Sequence, residues 1–172
     1  MKKKAGILFS LVVLLHFISP AQTLKYEFIK NCLTYQDIEI ITDLTARNFN
    51  FVAKDHINLG DPLINRSDYY SSKKENSTDT AEIAVFINKR KSSKKSVVFS
   101  FVETQAFANY NAIEAKIQSN LKKEASFKSD KFDADVTKYS FDKYFYYLFK
   151  DDYMWYIITS NYDLEEKYFS LK

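Results

Sequence analysis

The sequence predicts an α+β fold in which tandem α-β-β-β repeats build an antiparallel sheet with the helices on one face. Three observations carry this expectation. Residues 105–124 place Phe107, Tyr110, Ile113, Ile117 and Leu121 at spacings of three and four, which is the stripe of an amphipathic helix. Residues 143–161 form two aromatic-rich runs around Asp151-Asp152, short acidic residues that accept turn geometry, so the segment reads as a β-hairpin. The pattern Tyr35-x-x-Ile38-Glu39 also recurs as Tyr110-x-x-Ile113-Glu114, 75 residues later, which suggests pseudo-repeats over about 24–104 and 105–162.

The first residues have the grammar of a secretory signal peptide. Lys2, Lys3 and Lys4 precede an apolar run over 5–18 and then Ser19-Pro20-Ala21. Cleavage is expected after Ala21, which leaves residues 22–172 as a single domain in the periplasm or outside the cell. The apolar run is shorter than the ~20 residues a spanning helix needs, so no membrane anchor is expected after cleavage. Loss of the three lysines lowers Lys plus Arg from 25 to 22 against 22 Asp plus Glu. A neutral mature chain gives no electrostatic reason to expect nucleic acid as a partner.

Within the domain, 24–33 reads as a short helix with Phe28 and Cys32 on one side. Thr34 then caps a helix to about Arg47, with Tyr35, Ile38 and Ile41 as its stripe and Asn48 as its stop. Residues 49–55 form a short strand, and the polar stretch 57–79 reads as a long loop. Residues 81–88 alternate as a half-buried strand, Lys89 to Lys95 form a solvated turn, and 96–103 return as its hairpin partner. Between 127 and 139, Phe132, Ala134 and Val136 oppose Asp133, Asp135 and Thr137, a strand with one wet face. The tail 163–172 ends in a helical turn.

In the hairpin a two-residue loop would pair Phe149 with Met154, Tyr147 with Tyr156 and Phe145 with Ile158. This phenylalanine-rich set is assigned to the helix-covered core. The opposite set, Tyr144, Tyr146, Leu148, Trp155 and Ile157, is then the candidate binding surface, because tyrosine and tryptophan combine apolar area with a polar handle.

Little in the chain suggests catalysis. His56 is the only histidine outside the signal segment, and it belongs to no nucleophile motif. Gly60 is the only glycine left, which removes phosphate-cradling loops. The single cysteine, Cys32, cannot form an internal disulfide and is either a buried hydrophobe or a free thiol. One histidine and one cysteine cannot fill a zinc shell, so neither a metal nor a cofactor is expected. Glu39 and Glu114, paired by the motif, could form a catalytic dyad, with surface or helix-contact residues as the simpler reading. Asp133 with Asp135 on one strand face could bind a hard cation, with a solvated strand face as the simpler reading. Asn65 and Asn76 head glycosylation sequons that matter only in a eukaryotic secretory route.

In its expected helix-plus-hairpin arrangement and aromatic sheet, the chain resembles secreted proteins of the beta-lactamase inhibitor protein type. That resemblance implies a tandem-repeat fold and a protein partner bound on the sheet. With one cysteine, the chain carries neither of the two intradomain disulfides the resemblance implies. The leading expectation is an exported, non-enzymatic binding module, inhibitor-like or immunity-like, with an unknown protein partner in the cell envelope. The alternatives are a carboxylate-dependent envelope hydrolase and a self-associating structural protein.

Overall fold

The computed structural model describes residues 24–47, 49–54, 64–71, 83–90, 94–164 and 168–170. Helices α1 (Tyr26–Asn31) and α2 (Asp37–Ala46) lead into strands β1 (Asn50–Lys54), β2 (Ile64–Ser71), β3 (Ile83–Arg90) and β4 (Lys95–Val102). Helix α3 (Glu103–Asn120) then leads into β5 (Lys122–Ser129), β6 (Ala134–Phe141), β7 (Tyr144–Lys150) and β8 (Met154–Ser160). The eight strands form one antiparallel sheet in the order β1-β2-β3-β4-β8-β7-β6-β5. Two four-stranded meanders thus meet where Phe99 of β4 lies opposite Ile157 of β8. The α+β class with an antiparallel sheet is as expected.

Each half contains four strands where three were expected. One addition is β2, which lies inside the polar stretch read as a loop and pairs Tyr70 with Val85 of β3. The rest of that stretch, His56 and Asn76 lie outside the described residues. The other is β5, because α3 stops at Asn120 and Leu121 is already extended (φ −115°, ψ 153°); the stretch 127–139, read as one strand, is the end of β5, a turn holding Phe132 and Asp133, and most of β6. Lys122, Lys123 and Glu124 were read as the last helical turn but start the edge strand β5. Charge there suits an edge, where it discourages pairing with other chains.

The shared Y-x-x-I-E pattern does not mark equivalent positions. Ile38 sits in the first turn of α2 and is 64% exposed, whereas Ile113 lies in mid-α3 and is 2% exposed. Helix α2 starts later than Thr34 predicts, since the Gln36 N–H donates to Glu39 Oε2 at 2.6 Å and closes the first turn. The buried stripe consequently shifts to Ile40 and Leu44. At its other end Arg47 grips Asp43 through Nε (3.1 Å) and Nη2 (3.2 Å).

The three helices among the described residues cover one sheet face. Phe28 and Ile29 of α1, Ile40 and Leu44 of α2, and Tyr110, Ile113 and Ile117 of α3 share one core with Val85, Phe99, Tyr146 and Leu148. Burying each of these large apolar side chains contributes about 1.5–3 kcal/mol relative to exposure. Cys32 is fully buried here, its Sγ donating to Ile29 O at 3.0 Å. Residues 83–88 of β3, Ala84 and Asn88 included, and strand β4 are buried or half-buried on both faces, so β3 is central where half-burial was expected. Lys95, read as part of a solvated turn, is 8% exposed and donates from Nζ to Tyr35 O at 3.0 Å.

The aromatic hairpin exists, with a register two residues off the expected one. Phe149 pairs with Tyr156, Tyr147 with Ile158 and Phe145 with Ser160. The Asp151 carboxylate widens the loop, as Oδ1 accepts the N–H groups of Tyr153 (3.0 Å) and Met154 (2.8 Å) and Oδ2 accepts the Tyr156 hydroxyl (2.9 Å). A shift of two preserves which residues share a face.

The assignment of those faces is reversed. Tyr146, Leu148 and Ile157 lie beneath the helices. Tyr147, Phe149 and Ile158 form a second core on the far side with Val136 and the C-terminal residues Leu164, Tyr168 and Phe169. The Phe169 ring sits 5.2 Å from Phe127 and 5.3 Å from Tyr147. Its carbonyl accepts from Ser129 Oγ (2.7 Å) and Lys131 N (3.1 Å). Helices and tail each need an apolar platform, and a hairpin aromatic on both faces serves both.

Candidate functional site: an acid-lined aromatic cleft

The five residues expected to form a binding surface do not form one. Tyr146, Leu148 and Ile157 are at most 4% exposed, and Tyr144 is half-buried against the helix-side core. Trp155 is the exception in kind: half-buried, it forms part of the wall of an open cleft between α3 and the hairpin end of the sheet.

That cleft, of about 370 Å³, is assembled from residues distant in sequence. On α3, Tyr110 and Glu114 are four apart and point the same way. On β6, strand alternation turns Asp135 and Thr137 to the helix side, and Asp133 joins them from the preceding turn. Asp133 adopts φ 44°, a left-handed conformation that aspartate tolerates. From the hairpin, Lys150 and Trp155 face each other across β7 and β8.

The aromatic wall is continuous. The Trp155 ring lies 4.7 Å from Tyr110 and 5.4 Å from Phe107, at interplanar angles of 34° and 42°. Phe107 is 44% exposed, so the stack extends to the surface. The Lys150 ammonium lies over the Trp155 ring, 5.2 Å from its centroid.

The carboxylates differ in setting. Burial raises the Glu114 carboxyl above its ordinary range, against the lowering effect of bonds from Gln118 and Tyr110. Gln118 Nε2 donates to Glu114 Oε1 at 3.2 Å. Burial likewise pushes the Tyr110 phenol up, and the neighbouring Glu114 adds to this. Asp133 meets Lys128 Nζ at 3.0 Å in a pair exposed to water. Asp135 makes no hydrogen bond or close ion pair among the described residues.

Glu114, weighed from the sequence as a partner of Glu39, and the separately weighed pair Asp133 and Asp135 therefore line one cleft. Glu39 is not with them, since it closes the first turn of α2 and lines a shallow groove with Ile38 and Thr42. Among the described residues, no group of three or more His, Cys, Asp or Glu is placed to hold a metal ion. Phe107 was read only as helix stripe, Tyr110 as helix stripe and part of the repeated motif, and Lys150 was passed over. The Tyr110-x-x-x-Glu114 spacing was visible, but nothing in sequence links it to a strand 20 or more residues downstream. Among the described residues, no helix is long and apolar enough to cross a membrane. Comparison with known proteins finds no family model, no curated protein and no solved structure that matches this chain.

Proposed function

We propose that this chain is an exported binding module that engages a protein partner at the cleft between α3 and the aromatic hairpin. The observation that carries this reading is the meeting of a Trp155–Tyr110–Phe107 wall with Glu114, Asp133 and Asp135 in one open depression. Aromatic anchors beside a few polar groups are the common composition of recognition sites. Export rests on the Lys2–Lys4 cluster, the apolar run and Ser19-Pro20-Ala21. With β4, β7 and β8 packed on both faces, recognition is assigned to the sheet's end and not to its surface.

The test is site-specific photo-cross-linking in intact cells. A benzophenone side chain at Thr137, on the cleft wall, should form an adduct with one envelope protein. The same group at Lys143, in the exposed turn between β6 and β7, should not. Equal labelling from both positions, or from neither, refutes the reading.

A second reading draws on the raised Glu114 carboxyl. A carboxyl raised by burial and set beside other carboxylates is an arrangement that prepares a general acid for glycan hydrolysis. Turnover of envelope glycans that Glu114→Gln abolishes would favour the hydrolase over the binding module.

A further inference from the structure

We infer that the cleft receives a basic side chain, a lysine ammonium or arginine guanidinium, projecting from the partner protein onto the Trp155–Tyr110 wall. This rests on the binding reading above and names the chemistry of the occupant.

Charge is the first argument. Three carboxylates, Glu114, Asp133 and Asp135, line the cleft against one cation, Lys150. Asp133 is already engaged by Lys128, but that pair is loose, with side chains 88% and 65% exposed. Asp135 has no hydrogen bond or close ion pair among the described residues. An incoming cation would pair with it without displacing an existing bond.

The second argument is independent of the acids. The chain's own Lys150 ammonium lies 5.2 Å from the centre of the Trp155 ring, so this wall already accommodates an organic cation. Tryptophan is the strongest of the aromatic partners for such a charge, and the attraction grows as water is excluded. An anionic partner would meet three carboxylates, and a purely apolar one would leave Asp135 desolvated and unpaired. The cleft volume, about 370 Å³, lies at the low end of the ~300–1,000 Å³ range of small-molecule sites.

Trp155 is the only tryptophan in the chain, so its fluorescence reports this cleft alone. The probes are tetra-lysine, tetra-arginine, tetra-glutamate and chitotetraose, titrated into the full mature chain. The two basic peptides should give saturable changes that weaken with added salt. Asp135→Asn, on an exposed strand position, should weaken them about fivefold, the upper range for an exposed charge pair. Lys150→Gln removes the competing internal cation and should tighten them. Circular dichroism of both variants checks that they fold.

A saturable response to tetra-glutamate or chitotetraose with none to the basic peptides overturns the inference. So does an affinity for basic peptides that is unchanged in Asp135→Asn. If the basic peptides fail while the Thr137 cross-link still forms, the cleft remains the docking site for a partner of other chemistry. If the cross-link fails as well, the binding reading falls with it.

Discussion

Tyr147→Phe removes a single oxygen and should cost this protein about 3 kcal/mol. The hydroxyl of this fully buried tyrosine donates to Asp163 Oδ1 at 2.6 Å and accepts the Leu164 N–H at 2.8 Å. It thereby ties the segment leading to the C-terminal tail onto the second sheet face. A hydrogen bond to a charged acceptor contributes about 1.5–3 kcal/mol. Here the lower end applies, because the Asp163 side chain is 52% exposed and keeps its 2.6 Å bond to Lys138 Nζ. The larger effect is on Leu164, which is 4% exposed and whose N–H loses this acceptor, at a cost of about 1–3 kcal/mol. Together these amount to about 3 kcal/mol, or a melting temperature lower by about 6–12 °C for a chain of this size.

Urea titration measures the difference, and hydrogen exchange should show early loss of protection at the Leu164 amide. Acid supplies an internal control. Burial pushes the Asp163 carboxyl up, yet bonds from Lys138 and Tyr147 outweigh it and hold it below its ordinary value of 3.8. A carboxyl depressed on folding stabilises above its unfolded value and loses that contribution as pH falls through the folded one. The gap between wild type and Tyr147→Phe should therefore narrow below about pH 3.8. A variant within about 0.5 kcal/mol of wild type at pH 7 would refute the account of this hydroxyl.

Four further outcomes are expected. Tyr146→Phe, one residue away, should leave the melting temperature unchanged or raise it, because its buried hydroxyl has no hydrogen-bond partner among the described residues; thermal unfolding beside Tyr147→Phe decides this. Phe169→Ala should cost about 3–5 kcal/mol by emptying the aromatic cage around Phe127 and Tyr147, as measured by urea unfolding. Cys32, with burial pushing its thiol up to about 12, should resist a thiol reagent such as DTNB until the protein unfolds, so the labelling rate should follow the unfolded fraction. Glu114→Gln should stabilise the protein at pH 7, because a carboxyl raised on folding stabilises only below its unfolded value; the difference should shrink as pH falls toward 4.5 in paired urea titrations.

Periodicity within single elements was enough to identify the amphipathic α3, the aromatic hairpin, the strands either side of Lys89–Lys95 and the burial of Cys32. Each is a local matter, since side-chain spacing of 3.6 or 2 residues shows wherever one face is buried. Strand β2 and the first part of β5, residues 122–126, gave no such signal. Strand β5 is exposed at all but Phe127 and Ser129, so backbone pairing and not apolar patterning makes it a strand. The hairpin's alternation separated its two residue sets correctly but contained nothing to say which lay under the helices, because both sets are aromatic. Only the packing of Phe28, Leu44 and Ile113 on one side and Phe169 on the other decided that. The cleft has the same origin. Glu114, Asp135 and Trp155 were each legible as chemistry, but their meeting depends on the β6-β7-β8 register and on where α3 lands, long-range pairings that no local pattern encodes.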